Sequence, residues 1–244
     1  MNIKNISSCL SFNCLIDASI IKQEKTLMSI EKNLSNIKSK LPEGITLVAV
    51  SKTKPVSDLM DAYSAGQRVF GENKIQEMAE KFEEMPKDIE WHMIGHVQRN
   101  KVKYMAEFVS LIHGIDSFKL LKEINKQAEK YNRVISCLLQ IKIAKEDSKF
   151  GMSAEDAKTL LLSEELSNLK NISIVGVMGM ATFTDNMKQV EQEFKLLKST
   201  FDKLKAWNSN LVTISMGMSG DYQLAIDCGS NMIRVGSSIF GARK

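Results

Sequence analysis

The chain has 244 residues, 43% of them hydrophobic and 25% charged, a composition that fits an ordinary folded domain and excludes a disordered or low-complexity chain. Its net charge of +4 comes from lysines spread along the whole length, so there is no electrostatic case for nucleic acid or an anionic membrane surface. No apolar run reaches the ~18 residues of a membrane span.

Residues 1–23 hold one broken apolar stretch, at 9–16, without signal-peptide organisation, and are expected to be a flexible extension of a domain over 24–244. Cys9, Cys14, Cys137 and Cys228 are too irregularly spaced for a disulfide framework, which favours a reducing, cytoplasmic setting. Over 24–40, Leu27, Ile30, Leu34 and Ile37 recur at helical spacing until Pro42 and Gly44 stop the pattern, predicting a leading helix. Eight short β-branched or apolar runs then read as strands, at 46–51, 68–71, 90–95, 108–113, 134–143, 172–178, 211–216 and 232–235. Between them, amphipathic stretches at 57–65, 74–84, 117–131, 153–169 and 187–206 read as helices. Such alternation requires a parallel sheet with helical crossovers. Eight units in a chain near ~250 residues point to an α/β fold, a single (β/α)8 TIM barrel. An open doubly wound sheet would carry a glycine fingerprint after its first strand, and no G-x-G-x-x-G follows Val50.

In a barrel of this kind the loops after the strand C-termini form the functional face. The first presents Ser51-Lys52-Thr53-Lys54, which places Lys52 where a Schiff-base lysine would stand, with Lys54 as a neighbouring cation able to weaken its hold on a proton. The next three present Gly71-Glu72-Asn73, Gly95-His96-Val97-Gln98 and His113-Gly114-Ile115-Asp116. The fifth and sixth present Ala144-Lys145-Glu146 and Met180-Ala181-Thr182. Glycine and serine crowd the last two, at Gly217, Ser219, Gly220, Gly236, Ser237 and Ser238, where backbone N–H groups and hydroxyls would converge on a phosphate.

Arg234 interrupts the apolar strand Met232-Ile233-Arg234-Val235, so alternation turns it into the barrel or toward its mouth. There it meets either a carboxylate, such as Glu72 or Asp116, or a cofactor heteroatom. A guanidinium beside a pyridine nitrogen keeps that nitrogen unprotonated. Lysine, phosphate seat and internal arginine together describe pyridoxal 5'-phosphate (PLP), whereas a phosphosugar aldolase would leave Arg234 unexplained. His92 and His96 are four apart, but Gly95 and the strand character of 91–94 oppose a helical metal pair, and no metal site is assigned. Met216 and Met218 read as packing residues, with a flat ring as the alternative neighbour.

Five motifs occur in order: L-V-A-V-S-K-T-K-P from Leu47, A-G-Q-R-V-F-G-E-N from Ala65, E-W-H-M-I-G-H-V-Q-R-N-K from Glu90, S-M-G-M-S-G-D from Ser215 and R-V-G-S-S-I-F-G-A-R from Arg234. With them the chain resembles the pyridoxal-phosphate homeostasis proteins of the YggS/PROSC type over 24–243. The resemblance implies a barrel like the N-terminal domain of alanine racemase, a PLP fold type III barrel without the C-terminal β domain. It implies Lys52 as the aldimine lysine, phosphate contacts from Ser219, Gly236 and Ser237, Arg234 beside the pyridine nitrogen and Asn73 near the ring. Departures from the family pattern fall at Lys142, Phe150 and Ser237, the last keeping a hydroxyl in place of threonine.

Members of that family are thought to hold PLP and pass it on, which implies apo PLP-dependent enzymes as recipients and a role in vitamin B6 balance. Racemase chemistry needs a second acid–base group, a tyrosine from another domain, and the chain ends at Lys244 directly after the eighth unit. The expectation is therefore a monomeric carrier with no assigned catalytic residue. A PLP-dependent amino-acid racemase or related enzyme is the alternative, and Tyr222, just after the seventh loop, is its open candidate.

Overall fold

The computed structural model describes residues 30–145 and 150–242. The expected flexible extension, the start of the leading helix, Cys9, Cys14 and Glu146 lie outside the described residues. Helix α1 covers 30–38 and buries Ile30, Leu34 and Ile37 on one face. Eight strands follow: β1 (Thr46–Val50), β2 (Val69–Glu72), β3 (Glu90–Met93), β4 (Leu111–Ile115), β5 (Ile135–Gln140), β6 (Ile172–Met178), β7 (Thr213–Ser215) and β8 (Met232–Val235). Each pairs in parallel with the next, and β8 returns to β1 with Thr46 opposite Met232, closing the ring.

The crossovers are α2 (Val56–Ser64), α3 (Ile75–Glu84), a 3-10 helix (Arg99–Tyr104), α4 (Phe118–Glu129), α5 (Ala154–Leu161) with α6 (Glu164–Ser167), α7 (Met187–Lys205) and α8 (Tyr222–Asp227); α9 (Ser237–Phe240) follows β8. On α7, Val190, Glu193, Phe194, Leu197, Phe201 and Leu204 are buried, the three-to-four spacing that turns one helix face onto a sheet.

Three expectations change in detail. The third crossover is a 3-10 helix, and Phe108 stacks on Phe82 of α3 at 4.0 Å between ring centroids, so β4 starts only at Leu111. His113, expected where the fourth strand meets its loop, and Glu72, expected on the second rim loop, lie inside β4 and β2. The helix expected over 153–169 is two, because the Ser163 hydroxyl accepts the Leu166 N–H and starts a new one.

Strand alternation sorts side chains into two apolar layers. Leu47, Ala49, Phe70, Trp91, Ile112 and Leu139 belong to the large cluster shared with the helices. Val48, Leu111, Leu138, Met178 and Met232 form a separate small cluster, the filling of the barrel itself. Two residues onward from three of these, at Arg234, His113 and Gln140, the filling becomes polar and buried.

The Arg234 Nη1–H donates to Ser215 Oγ at 2.6 Å, Ser215 Oγ lies 3.1 Å from His113 Nδ1, and His113 Nε2 lies 3.2 Å from His92 Nδ1. Guanidinium can only donate, so the direction that satisfies every group runs Ser215 O–H to His113, then His113 N–H to His92. Both imidazoles are neutral: burial pulls His92 down to about 3, and burial with His92 and Arg234 nearby pulls His113 well below the usual range.

This polar layer sets a pH dependence. A folded-state value below the unfolded ~6.5 means the unfolded chain takes the proton first, so stability is full above pH ~6.5 and falls as pH drops toward the folded value. Between pH 6.5 and 5 each buried histidine should cost about 1.4 kcal/mol per pH unit. Urea titrations should show that slope, and His92→Asn, which keeps an acceptor near the Nδ1 position, should remove about half of it. A slope unchanged by the substitution would contradict the assignment.

Candidate functional site

The ring of strand C-termini opens into a cavity of about 720 Å³ lined by Lys52, Asn73, Ser219, Arg234, Gly236 and Ser237, all six residues singled out in the sequence. They come from the ends of four strands, β1, β2, β7 and β8, and only closure makes them neighbours. Met218, Gln140, His96, Phe150 and Thr182 complete much of the wall. Met216 is instead buried in the main core, and Tyr222 packs partly buried against that core. None of the tyrosines lines the cavity.

Lys52 sits in a turn of unusual backbone. Thr53 has φ +64°, a left-handed conformation that a β-branched residue adopts at a cost on the order of 1–3 kcal/mol. Hydrogen bonds secure it on both sides. The Lys54 N–H donates to Ser51 O at 3.0 Å and the Thr53 N–H to Glu77 Oε1 at 2.5 Å. Lys54, expected as the cation that tunes Lys52, also lines the cavity, but its ammonium donates to the carbonyls of Phe240, Gly241 and Ala242 at 2.8, 3.2 and 3.4 Å. Three acceptors at the end of α9 satisfy its three protons, so it joins the first loop to the last.

The last two loops meet where Gly236 N–H donates to Ser219 Oγ at 3.2 Å. Gly217 holds φ +94°, and a Cβ there would lie 2.6 Å from the Ala225 Cβ, so the seventh loop can pass this close to α8 only as glycine. The Ser237 and Ser238 N–H groups open α9, where no carbonyl of the helix can reach them. Two serine hydroxyls and these amides are donors of the kind that suit a phosphate. The Asp221 carboxylate on the same wall accepts the Met218 N–H at 2.5 Å.

Arg234 is 4% exposed and donates to Ser215 Oγ and, at 3.0 Å, to Gly179 O. Among the described residues, neither carboxylate named from the sequence pairs with it: Glu72 bonds Lys81 of α3, and Asp116 lies 3.4 Å from His96 Nδ1. Burial pulls the guanidinium down to about 10, opposed by Asp221, which leaves it charged at neutral pH. A cation held from behind by neutral donors and acceptors, with its residue on the cavity wall, fits a ligand heteroatom that needs a donor without a removable proton.

The structure adds residues that the motifs did not single out. Lys81, 5% exposed, donates from Nζ to Ser51 O at 2.9 Å and to Glu72 Oε1 and Glu77 Oε1 at 2.7 Å each. One signal was available, since Lys81 falls three residues after Met78 and six after Ile75, on the apolar face of α3. His96 stacks on Phe150 at 4.7 Å, so the departure at Phe150 builds part of the cavity wall, whereas Lys142 is exposed and does not line it. His92 and His96 have separate partners, His113 and Asp116.

Residues 26–244 match the profile of the family described as alanine racemase, N-terminal domain. The pyridoxal phosphate homeostasis protein of Pasteurella multocida (strain Pm70) is 40% identical over 231 residues, which cover 88% of this chain and 98% of that one. PipY of Synechococcus elongatus PCC7942, 33% identical, superposes with TM-score 0.82 in its form without PLP and 0.79 with PLP bound, over 87% of this chain and 100% of PipY. Alanine racemase of Clostridium difficile 630 shares the fold with TM-score 0.74 at 17% identity, over 88% of this chain and 60% of the racemase. The chain belongs to the pyridoxal phosphate homeostasis proteins, a family built on the alanine racemase N-terminal barrel.

Proposed function

We propose that this chain binds PLP in the rim cavity, holds it as an aldimine of Lys52, and serves intracellular PLP homeostasis by passing it to apo PLP-dependent enzymes. The observation that carries the reading is the convergence of Lys52, Arg234 and the Ser219, Gly236 and Ser237 loops on one wall system. A lone lysine would suit many electrophiles; the arginine at barrel depth beside two glycine–serine loops narrows the ligand to a phosphorylated heteroaromatic aldehyde. PLP bound to a relative of the same fold supports the choice. A cytoplasmic setting suits the two described thiols, Cys137 buried and Cys228 half-buried.

When bound, the cofactor supplies an aldehyde to the lysine and a conjugated ring that draws electrons from whatever is attached. Lys52 would supply the amine for that aldehyde, with water as the group released. Ser219, Ser237 and the amides around Gly236 would hold the phosphate, Asn73 would lie near the ring, and Arg234 would donate to the pyridine nitrogen. With Nη1 donating to Ser215 Oγ and Nη2 to Gly179 O, the guanidinium is already fixed in place and would meet that nitrogen without reorganising.

Carrier rather than enzyme is the reading favoured by the cavity wall. No tyrosine reaches it, so the wall provides no counterpart of the tyrosine that racemase chemistry requires. Among the described residues, the lining also includes Phe183, which is 92% exposed to solvent. An aldimine that water can reach suits release better than selective turnover.

Four measurements check this. Protein incubated with PLP should develop the visible absorbance of a lysine aldimine, and Lys52→Ala should abolish it while remaining folded. Arg234→Gln should retain the band and bind PLP more weakly by about tenfold, the loss of one charge-assisted hydrogen bond. Transfer to an apo-enzyme should outpace free release, and in deuterated water no amino acid should exchange its α-proton at a catalytic rate. Absence of a Lys52-dependent band would remove the cofactor reading; rapid exchange would convert the carrier into a racemase-like enzyme.

A further inference from the structure

Beneath the rim, on the outer side of β1 and β2, lies a charged cluster with no counterpart elsewhere among the described residues. Lys81 and Glu72 are 5% and 0% exposed, and Glu77 completes the group at the edge of solvent. Ion pairs between long side chains normally sit in water, and burying one brings little net stability over an apolar pair. Its retention beside the first loop needs another reason. The hydrogen bonds supply it.

Lys81 Nζ has three acceptors, Ser51 O, Glu72 Oε1 and Glu77 Oε1, which requires the charged ammonium with all three of its protons engaged. The Ser51 hydroxyl donates to the same Glu72 oxygen at 2.7 Å, and the Thr53 amide donates to the same Glu77 oxygen. The residues immediately before and after Lys52 are thus fixed through one cation, Ser51 by its carbonyl and hydroxyl and Thr53 by its amide. The residue on the far side is the one in the left-handed conformation, at φ +64°. Lys81, Glu72 and Glu77 do not themselves line the cavity; besides the 51–54 turn, Glu72 adjoins the wall through Asn73, the next residue, and through Ile94, whose N–H its carbonyl accepts at 2.9 Å.

We propose that Lys81 is the positioning residue for Lys52: through Glu72, Glu77 and the Ser51 carbonyl it holds the 51–54 turn in the conformation that aims the Lys52 amine into the cavity. The inference rests on PLP capture by Lys52, and it deepens that reading by naming what orients the nucleophile. A displaced amine reacts more slowly because bond formation depends steeply on approach distance and angle. The strained turn supplies a specific diagnostic. Glycine adopts a positive φ freely, so Thr53→Gly lets the turn take the same shape without being held.

The test compares wild type, Lys81→Met, Glu77→Gln and the double variant Lys81→Met with Thr53→Gly. Circular dichroism and urea midpoints report folding, absorbance reports the PLP capture rate, and amide exchange of the 51–54 segment is read without cofactor. Lys81→Met should slow capture by about tenfold or more and speed exchange of that segment while exchange of β4 to β6 stays as in wild type. Adding Thr53→Gly should recover several-fold of the capture rate when the variants are compared at equal fractions folded, which a purely structural role for Lys81 would not allow. Glu77→Gln, which leaves no buried carboxylate unpaired, should show a weaker form of both effects and serves if Lys81→Met does not fold. Capture within about twofold of wild type in the folded variants, or no recovery with glycine, would overturn the proposal. If wild type shows no Lys52-dependent band, the cofactor reading fails; faster exchange of 51–54 in the Lys81 variant would still establish the clamp, and unchanged exchange would overturn it.

Discussion

Closure of eight parallel strands into a ring is the constraint on which everything else here depends. Parallel pairing sends all strand C-termini to one end, and the return of β8 to β1 brings Lys52 and Gly236 onto the same rim although they are far apart in sequence. The ring is too narrow for a channel, so its interior must be filled, and the filling changes character along the axis. Val48, Leu111, Leu138, Met178 and Met232 make the apolar part. Above it, Arg234, Ser215, His113 and His92 make a polar one in which each group has a partner. That layer gives the cavity a floor carrying one positive charge.

Two buried cations flank the first strand in different ways. Arg234 is inside the barrel, backed by neutral groups, so its charge is directed at the cavity. Lys81 is outside, matched by Glu72 and Glu77, so its charge is consumed locally and its effect is mechanical. Lys54 adds a third, tethering the first loop to the carbonyls that end α9. Electrostatics therefore acts around the cavity at three depths: one cation lines it, one is bonded to the Ser51 carbonyl and to the carboxylate that accepts the Thr53 N–H, and one joins the first loop to the last.

Much of this was legible in the residues. Eight apolar runs separated by amphipathic stretches identified the barrel, because strands in a parallel sheet must be joined by crossovers. The strand-end residues pointed to Lys52, Ser219, Arg234, Gly236 and Ser237, and the family resemblance to Asn73, and all six line one cavity because every strand ends at the same rim. Boundaries were harder. Phe108 looks like a strand residue and stacks on Phe82 in the helical layer, a tertiary contact that no local pattern encodes. Ser163 splits a helix by offering its hydroxyl to Leu166 N–H, where periodicity alone runs on. Glu72 and His113 read as rim residues because polar side chains suggest solvent, whereas each is buried with a dedicated partner supplied by another element. Of the two partners weighed for Arg234, neither named carboxylate is found beside it; a serine and a backbone carbonyl, which no local pattern encodes, hold the guanidinium from behind.

The central claim is that the turn after β1 presents one particular amine to the cofactor, although Lys54 lines the same cavity two residues away. Reduction of the PLP-loaded protein with borohydride fixes any C=N bond as a stable amine, and peptide mapping by mass spectrometry then locates it. The account predicts a single phosphopyridoxyl group on Lys52. A group found on Lys54, or spread over surface lysines with Lys52 unmodified, would contradict it.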